Sequence, residues 1–337
     1  MLLHRFATLV AASTAILIFA GGMVKSTESG LAVPDWPNTY GYFMWTFPIE
    51  HWVGGIFYEH THRLIASAVG FLIMALAFWL WRAEPRAWVR RLGYIALAAV
   101  IAQGVLGGIT VWYFLPPPVS IAHASLAQIV FCLTVTIALV TSRGWREGYI
   151  RSGYAAEDDR LARVALATTL LVYAQIVIGA TMRHNDAGLA IPDFPLAFGG
   201  LVPPQWDAKI AVHYAHRVGA LIVTLFVMAT VGHVLYHHRS RPPLVRGAVL
   251  LTGLVAVQVT LGGLTVLSGR HEIINSLHVV TGAAVLATSL VLTLRAHRAR
   301  FAWDGVSEPT RPAGGDATTP GGRRLQEPGR RPAGARA

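Results

Sequence analysis

Four histidines, arranged as two pairs, are the residues whose placement in this chain could do chemistry. His62 lies in Glu59-His60-Thr61-His62-Arg63, at the edge of a long apolar stretch, and His123 follows 61 residues later inside another. The arrangement recurs 154 positions on: His216 lies in His213-Tyr214-Ala215-His216-Arg217, and His278 follows it by 62 residues. Ionisable groups are costly inside a membrane and mark function there. Two imidazoles at equal depth on parallel helices can take the two faces of an iron held in a planar macrocycle, the bis-histidine ligation of haem. Zinc or copper would need a third or fourth ligand, and neither apolar setting offers one. One such histidine could simply bond a neighbouring backbone group. A pair repeated at nearly equal spacing argues for ligation.

The two versions differ at one telling position. Glu59 stands three residues before His62, on the same helix face and one turn nearer its start. The matching residue of the second version is His213, not an acid. A carboxylate without a partner beside a membrane ligand is a functional candidate by default, so one half is read as reactive and the other as holding a permanent cofactor. The competing reading is an intrahelical Glu59–Arg63 pair at i, i+4. Arg63 and Arg217 each have two partners open to them. One is a haem propionate, through a charge-assisted bond; the other is an acidic or carbonyl group between helices. Gln103 and Gln258 are read as cross-links between helices. His51, His60, His184, His213 and His271 fall in or beside loops and are read as solvated or loop-bonding, and His233, His237, His238 and His297 as ordinary helix-end residues.

The elements that must position these residues are membrane helices. The chain of 337 residues is 54% hydrophobic and 13% charged, against about a quarter charged in soluble domains. Apolar runs long enough to cross a bilayer, about 20 residues as helix, fall at 5–25, 57–81, 91–113, 119–141, 162–182, 209–236, 244–267 and 272–295. Arginines gather in alternate connections, among them Arg82, Arg86, Arg90 and Arg91, then Arg143 and Arg146, then Arg239 and Arg241, then Arg295 and Arg298. By the positive-inside rule both termini are cytoplasmic. The net charge of +11 is explained in this way, so nucleic acid is not an expected partner. The single cysteine, Cys132, rules out an intramolecular disulfide. Beyond residue 303 proline, glycine and arginine dominate, which reads as a disordered tail.

Three repeats tie the first four spans to the last four. Gly30-Leu-Ala-Val-Pro-Asp-Trp-Pro37 matches Gly188-Leu-Ala-Ile-Pro-Asp-Phe-Pro195, in the two long outer connections. Gln103 with Leu106-Gly107-Gly108-Ile109-Thr110 matches Gln258 with Leu261-Gly262-Gly263-Leu264-Thr265. The histidine stretches are the third. An even number of spans keeps both halves in one orientation, related by a pseudo-twofold axis along the membrane normal. The expected fold is therefore an all-α integral membrane protein of eight transmembrane helices, built as two tandem four-helix bundles. The bundles cover 1–141 and 162–302, with a cytoplasmic linker at 142–161 and the tail at 303–337. Small residues such as Gly107, Gly108, Gly262, Gly263 and Gly282 leave room for close helices or a flat ring.

These motifs resemble the haem A synthase family, membrane enzymes that complete the haem of cytochrome oxidases. The likeness covers residues 8–295. It is carried by Ser29-Gly30-Leu31-Ala32-Val33-Pro34-Asp35-Trp36-Pro37, Glu59-x-x-His62-Arg63, His123, His216-Arg217 and His278. The resemblance implies oxidation of a ring methyl of haem O to a formyl group, giving haem A through successive hydroxylations. It implies that His62 and His123 take the substrate, with Glu59 beside the reacting carbon, and that His216 and His278 hold one haem b. It further implies the plasma membrane as location, and the enzyme that makes haem O and an electron acceptor as partners beside membrane lipid. Many members carry a cysteine pair in the outer loops; this chain has none there. Two other readings compete. A two-haem membrane cytochrome b passing electrons from quinol would use the same four ligands and make Glu59 a quinol proton acceptor. A transporter of parallel repeats is disfavoured because the polar residues cluster near one surface and not at mid-membrane.

Overall fold

Each of the eight apolar runs satisfies its own backbone as an uninterrupted α-helix, the form a chain must take where no water can bond it. The structure, a computed structural model, describes residues 1–146 and 158–298. The helices are α1 (Leu2–Ser26), α2 (Gly54–Ala83), α3 (Ala87–Trp112), α4 (Pro117–Thr141), α5 (Asp159–His184), α6 (Ala208–His237), α7 (Pro242–Leu267) and α8 (Glu272–Ala296). All eight are long and apolar enough to cross a membrane. Most of the expected linker and the whole expected tail lie outside the described residues. α4 and α7 open on proline, where the missing N–H costs no helical bond. Asp158 caps α5 by accepting from the Arg160 and Leu161 amides at 3.0 Å each, and Asp207 caps α6 through the Ile210 amide.

α1 to α4 close a ring in which each helix packs on the next and α4 returns to α1; α5 to α8 do the same. The first ring encloses Val10, Val69, Ile73, Leu76, Leu80 and Ile137, and the second Val172, Val227, Val234, Leu251, Leu286 and Leu292. The rings meet along α1 and α4 on one side and α5 and α8 on the other. Ile18, Phe131, Ala283 and Ala287 fill that seam. Large apolar side chains also point outward: Phe71, Met74, Phe78 and Trp81 form an exposed stripe along α2. At three- and four-residue spacing this is one helix face, and it suits lipid, where in water it would invite aggregation.

The α1–α2 and α5–α6 connections, at the same end of the molecule, fold alike. Thr39 and Tyr42 exchange backbone hydrogen bonds across Tyr40 and Gly41, both at positive φ, and Ala197 and Gly200 do so across Phe198 and Gly199, also both positive. A two-residue hairpin turn of the primed type needs that conformation. The preceding aspartate holds each turn. Asp35 accepts from the Tyr40 and Gly41 amides, and Asp193 from those of Phe198 and Gly199, all at 2.8 Å.

Candidate functional site

Each of the four histidines stands on one helix and faces a glycine of the helix before it. A Cβ at Gly21 of α1 would come within 3.1 Å of His62 Cε1, and one at Gly107 of α3 within 3.3 Å of His123 Cε1. In the second ring the same gaps are 2.9 Å at Gly179 of α5 against His216 and 3.1 Å at Gly262 of α7 against His278. Any side chain larger than hydrogen would push the imidazoles away from these helices. All four histidines are half-buried as residues, and the Nδ1 atoms of His62 and His123 are themselves buried. His216 and His278 lie with ring centroids 6.4 Å apart. A metal–nitrogen bond is about 2 Å, which puts two imidazoles on opposite sides of one ion roughly 6 Å apart, centre to centre.

The loops descend onto these sites. A Cβ at Gly108, next to the His123 cradle, would strike the Trp36 indole at 2.7 Å, and one at Gly263 would strike Phe194 at 2.7 Å. Both aromatic rings come from the repeated Pro-Asp-aromatic-Pro motif. The arginine after each histidine ties the loop down. Arg63 Nη1 donates to the carbonyls of Asp35 (2.6 Å) and Asn38 (3.0 Å), and its Nη2 to that of Val33 (2.8 Å). Arg217 donates to Leu196 (2.7 Å), Asp193 (2.6 Å) and Ile191 (3.1 Å). Both arginines thus bond loop carbonyls, and Arg63 also pairs with Glu59. The buried Arg217 Nε has no partner.

Glu59 and His213 hold equivalent loop residues. Glu59 Oε2 accepts from the Val33 amide at 2.8 Å, and His213 Nδ1 from the Ile191 amide at 3.2 Å. The other carboxylate oxygen, Oε1, takes Arg63 Nη2 at 2.5 Å, and both side chains are buried. The expectation of an unpaired carboxylate is thus corrected: spacing i, i+4 on α2 brings Arg63 onto Glu59, and the pair neutralises itself where solvent is excluded. His60 is loop-bonding: its Nδ1 meets Thr39 Oγ1 at 3.1 Å and its ring packs on Trp52 and Phe47. Asp35 lies outside the helices; burial pushes its carboxyl up, but the Gly41 and Tyr40 amides and Arg63 outweigh this and hold it below the usual range. The Gly199 and Phe198 amides hold Asp193 low in the same way.

Gln103 and Gln258 do cross-link helices, and they do it at the histidines. Gln103 Nε2 lies 3.3 Å from His123 Nε2 and donates to the His123 carbonyl at 3.0 Å. Gln258 Nε2 lies 3.4 Å from His278 Nε2, and His278 Nδ1 meets the Gln258 carbonyl at 3.1 Å.

Three features escaped the sequence reading. Gln175 of α5 lies 3.0 Å from His216 Nδ1 and donates to the His216 carbonyl at 2.7 Å. Gly21 and Gly179 complete the glycine cradles; their 158-residue offset, shared with the loop motif, was the available signal. At the opposite end of the molecule, His233 and His238 are more than ordinary helix-end residues. Both place Nε2 on Asp158 Oδ2, at 2.6 and 2.9 Å. No separate motif announces that cluster.

Eight apolar helices that build one site geometry twice define a polytopic membrane protein with an internal duplication. The chain belongs to the cytochrome oxidase assembly protein family, whose profile matches residues 4–290. It is 28% identical over 306 residues to the Heme A synthase of Halalkalibacterium halodurans, covering 86% of this chain and 96% of that protein. Against the Heme A synthase of Caulobacter sp. strain K31 the identity is 28% over 336 residues, with 84% and 94% covered. For that of Chelativorans sp. strain BNC1 it is 29% over 293 residues, with 74% and 79% covered. The resemblance carried by the loop and histidine motifs therefore holds.

Proposed function

We propose that this protein is a haem A synthase that takes haem O between His62 and His123 and keeps one haem b between His216 and His278. The observation that carries this reading is the fourfold glycine-backed histidine, twice as a pair, with an acid beside one pair alone. The donors suit the group. A metal-binding imidazole gives its second nitrogen to a carbonyl or similar acceptor, and the His278 Nδ1 contact with the Gln258 carbonyl has that form. The buried Nδ1 atom of His62 has no partner. When bound, haem b supplies a one-electron couple.

The chain's own residues supply the rest. Converting a methyl to a formyl group with water as oxygen donor releases four protons and four electrons, the electrons passing to the external acceptor that the resemblance implies, so protons must leave the reacting carbon. Glu59, fixed by Val33 and Arg63 one turn from His62, is the group placed to receive a proton or to oppose positive charge on that carbon. Arg63 and Arg217 hold the loops over the rings, and Arg217 keeps Nε for an anionic ring edge. Trp36 and Phe194 close the space beside His123 and His278, which keeps water from a reactive site. Arginine placement supports a plasma-membrane orientation with both termini cytoplasmic and the loops outside.

The test is to extract and separate the haems of protein purified from a host that supplies haem O. Haem b with haem O or haem A is expected. Two haem b per chain and no formylated product would identify an electron-transfer cytochrome instead.

A further inference from the structure

The two histidine pairs are held differently, and the difference lies in residues no motif names. In the second half Gln175 Nε2 lies 3.0 Å from His216 Nδ1, whereas His278 and His123 are alike, each bonded to the backbone of the glutamine on the helix before it, Gln258 and Gln103. In the first half the buried Nδ1 of His62 has no partner. Each second-half glutamine rests against a glycine one turn beyond the histidine. A Cβ at Gly219 would collide with the Gln175 amide oxygen, and one at Gly282 would come within 3.1 Å of Gln258 Nε2. The repeat offsets set Leu17 opposite Gln175, Ile65 opposite Gly219 and Ala127 opposite Gly282. Leu17 and Ile65 both pack on the first half's apolar core. Beside His216 the second half thus has glutamine with glycine where the first half has leucine with isoleucine beside His62, and a side chain at 219 would collide with Gln175.

We infer that Gln175, admitted by Gly219, is the positioning residue that locks the His216 imidazole and makes the second half a site that retains its haem. The inference rests on His216 and His278 being haem ligands, as proposed above. An imidazole whose second nitrogen is bonded keeps its ring orientation and its basicity toward a metal. The amide serves in either protonation state, since a half-turn exchanges its donor and acceptor ends. Leu17 and Ile65 offer His62 no such bond, so that ring is held by packing against Gly21 alone and its ligand exchanges more readily, as a site releasing product at every turnover requires. The same logic explains why no amide stands at position 17, beside His62.

The experiment uses full-length protein carrying its haems. It follows haem loss to excess apomyoglobin, together with the low-spin ferric electron paramagnetic resonance lines. His216→Ala should lose the second-half signal outright. Gln175→Leu with Gly219→Ile, which installs the first half's pair, should release haem b about 10- to 100-fold faster and shift or broaden its resonance lines. Gln175→Glu, which keeps an acceptor at Nδ1, should restore slow loss. Wild-type loss rate and unshifted lines in the double variant overturn the inference while leaving the ligand assignment intact. A second-half signal that survives His216→Ala removes the assignment and the inference with it. Should the double variant not fold, Gln175→Leu alone adds no atom at position 219 and carries the same expectation and the same overturning result.

Discussion

Where α5 carries Thr168, Thr169 and Gln175, the equivalent positions of α1 carry Val10, Ala11 and Leu17. Thr168 bonds Thr230 at 2.8 Å, and Thr169 bonds Ser289 at 2.7 Å and Thr293 at 2.8 Å, all buried. Thr230 faces back to Leu76 in the repeat, which lies in the first half's apolar core. Lipid tails are as apolar as leucine, so burial alone discriminates poorly between helix packings in a membrane, and hydroxyl bonds fix them better. The half proposed to keep its haem is pinned by such bonds at the level of Thr168 and Thr169. The half proposed to exchange its ligand has Val10, Ala11 and Leu76 at these positions and so lacks these hydroxyl links. The ion pairs differ as well. Glu84, at the end of α2, is buried against Arg86 and Arg146, while the equivalent His238, at the end of α6, meets Asp158.

The largest test of this contrast removes ligands. His216→Ala or His278→Ala should abolish both bound haem b and haem A production, whereas His62→Ala or His123→Ala should abolish production with haem b retained. Extraction and chromatography of the haems reads both, and equal loss of haem b in all four variants would erase the distinction between halves.

Next in size is the acid. Glu59→Gln should keep haem in both halves and lower haem A formation at least ~100-fold, the usual worth of a positioned proton acceptor. His213→Gln, its mirror, should leave turnover within a few-fold, and a variant at 59 with normal product would take Glu59 out of the mechanism.

Arg63→Ala should destabilise more than Arg217→Ala. It strands the buried Glu59 carboxylate as well as three carbonyls, and breaking a buried pair costs about 3–5 kcal/mol; thermal unfolding in detergent should rank the two. Thr169→Val should cost only about 0.6 kcal/mol per lost hydroxyl bond, seen as a small fall in the same midpoint.

The pH dependence at the opposite end should be slight and one-sided. Burial pushes the Asp158 carboxyl up, but hydrogen bonds from His233, the Leu161 amide and His238 hold it well below the ordinary range. Its contribution is therefore present above about pH 4, the ordinary aspartate value, and is lost only as the pH falls toward the depressed one. Unfolding midpoints measured from pH 7 down to 3 should drop more for wild type than for Asp158→Asn.

The helices were legible because a membrane demands long apolar runs, and each expected span overlaps its helix almost end to end. The histidine pairs were legible because charge is rare in such runs. Gln175 was not, since an uncharged amide in an apolar helix has no periodicity of its own and its meaning depends on Gly219 across the interface. The pairing of Glu59 with Arg63 was open from spacing alone. What settled it was the loop, whose carbonyls and Val33 amide draw both side chains to one side of α2. The Asp158 cluster needed two helix ends to meet, which no local pattern records.

Arg183 of α5 donates to the Gly22 carbonyl at 2.7 Å and to Ser26 Oγ at 2.8 Å on α1. Gly22 adjoins the glycine beneath His62, and Arg183 stands one turn from the glycine beneath His216. The two ring seats are thus joined by one short strut across the seam. A shift of α1 that makes way for an incoming ring must either stretch that strut or carry α5 with it.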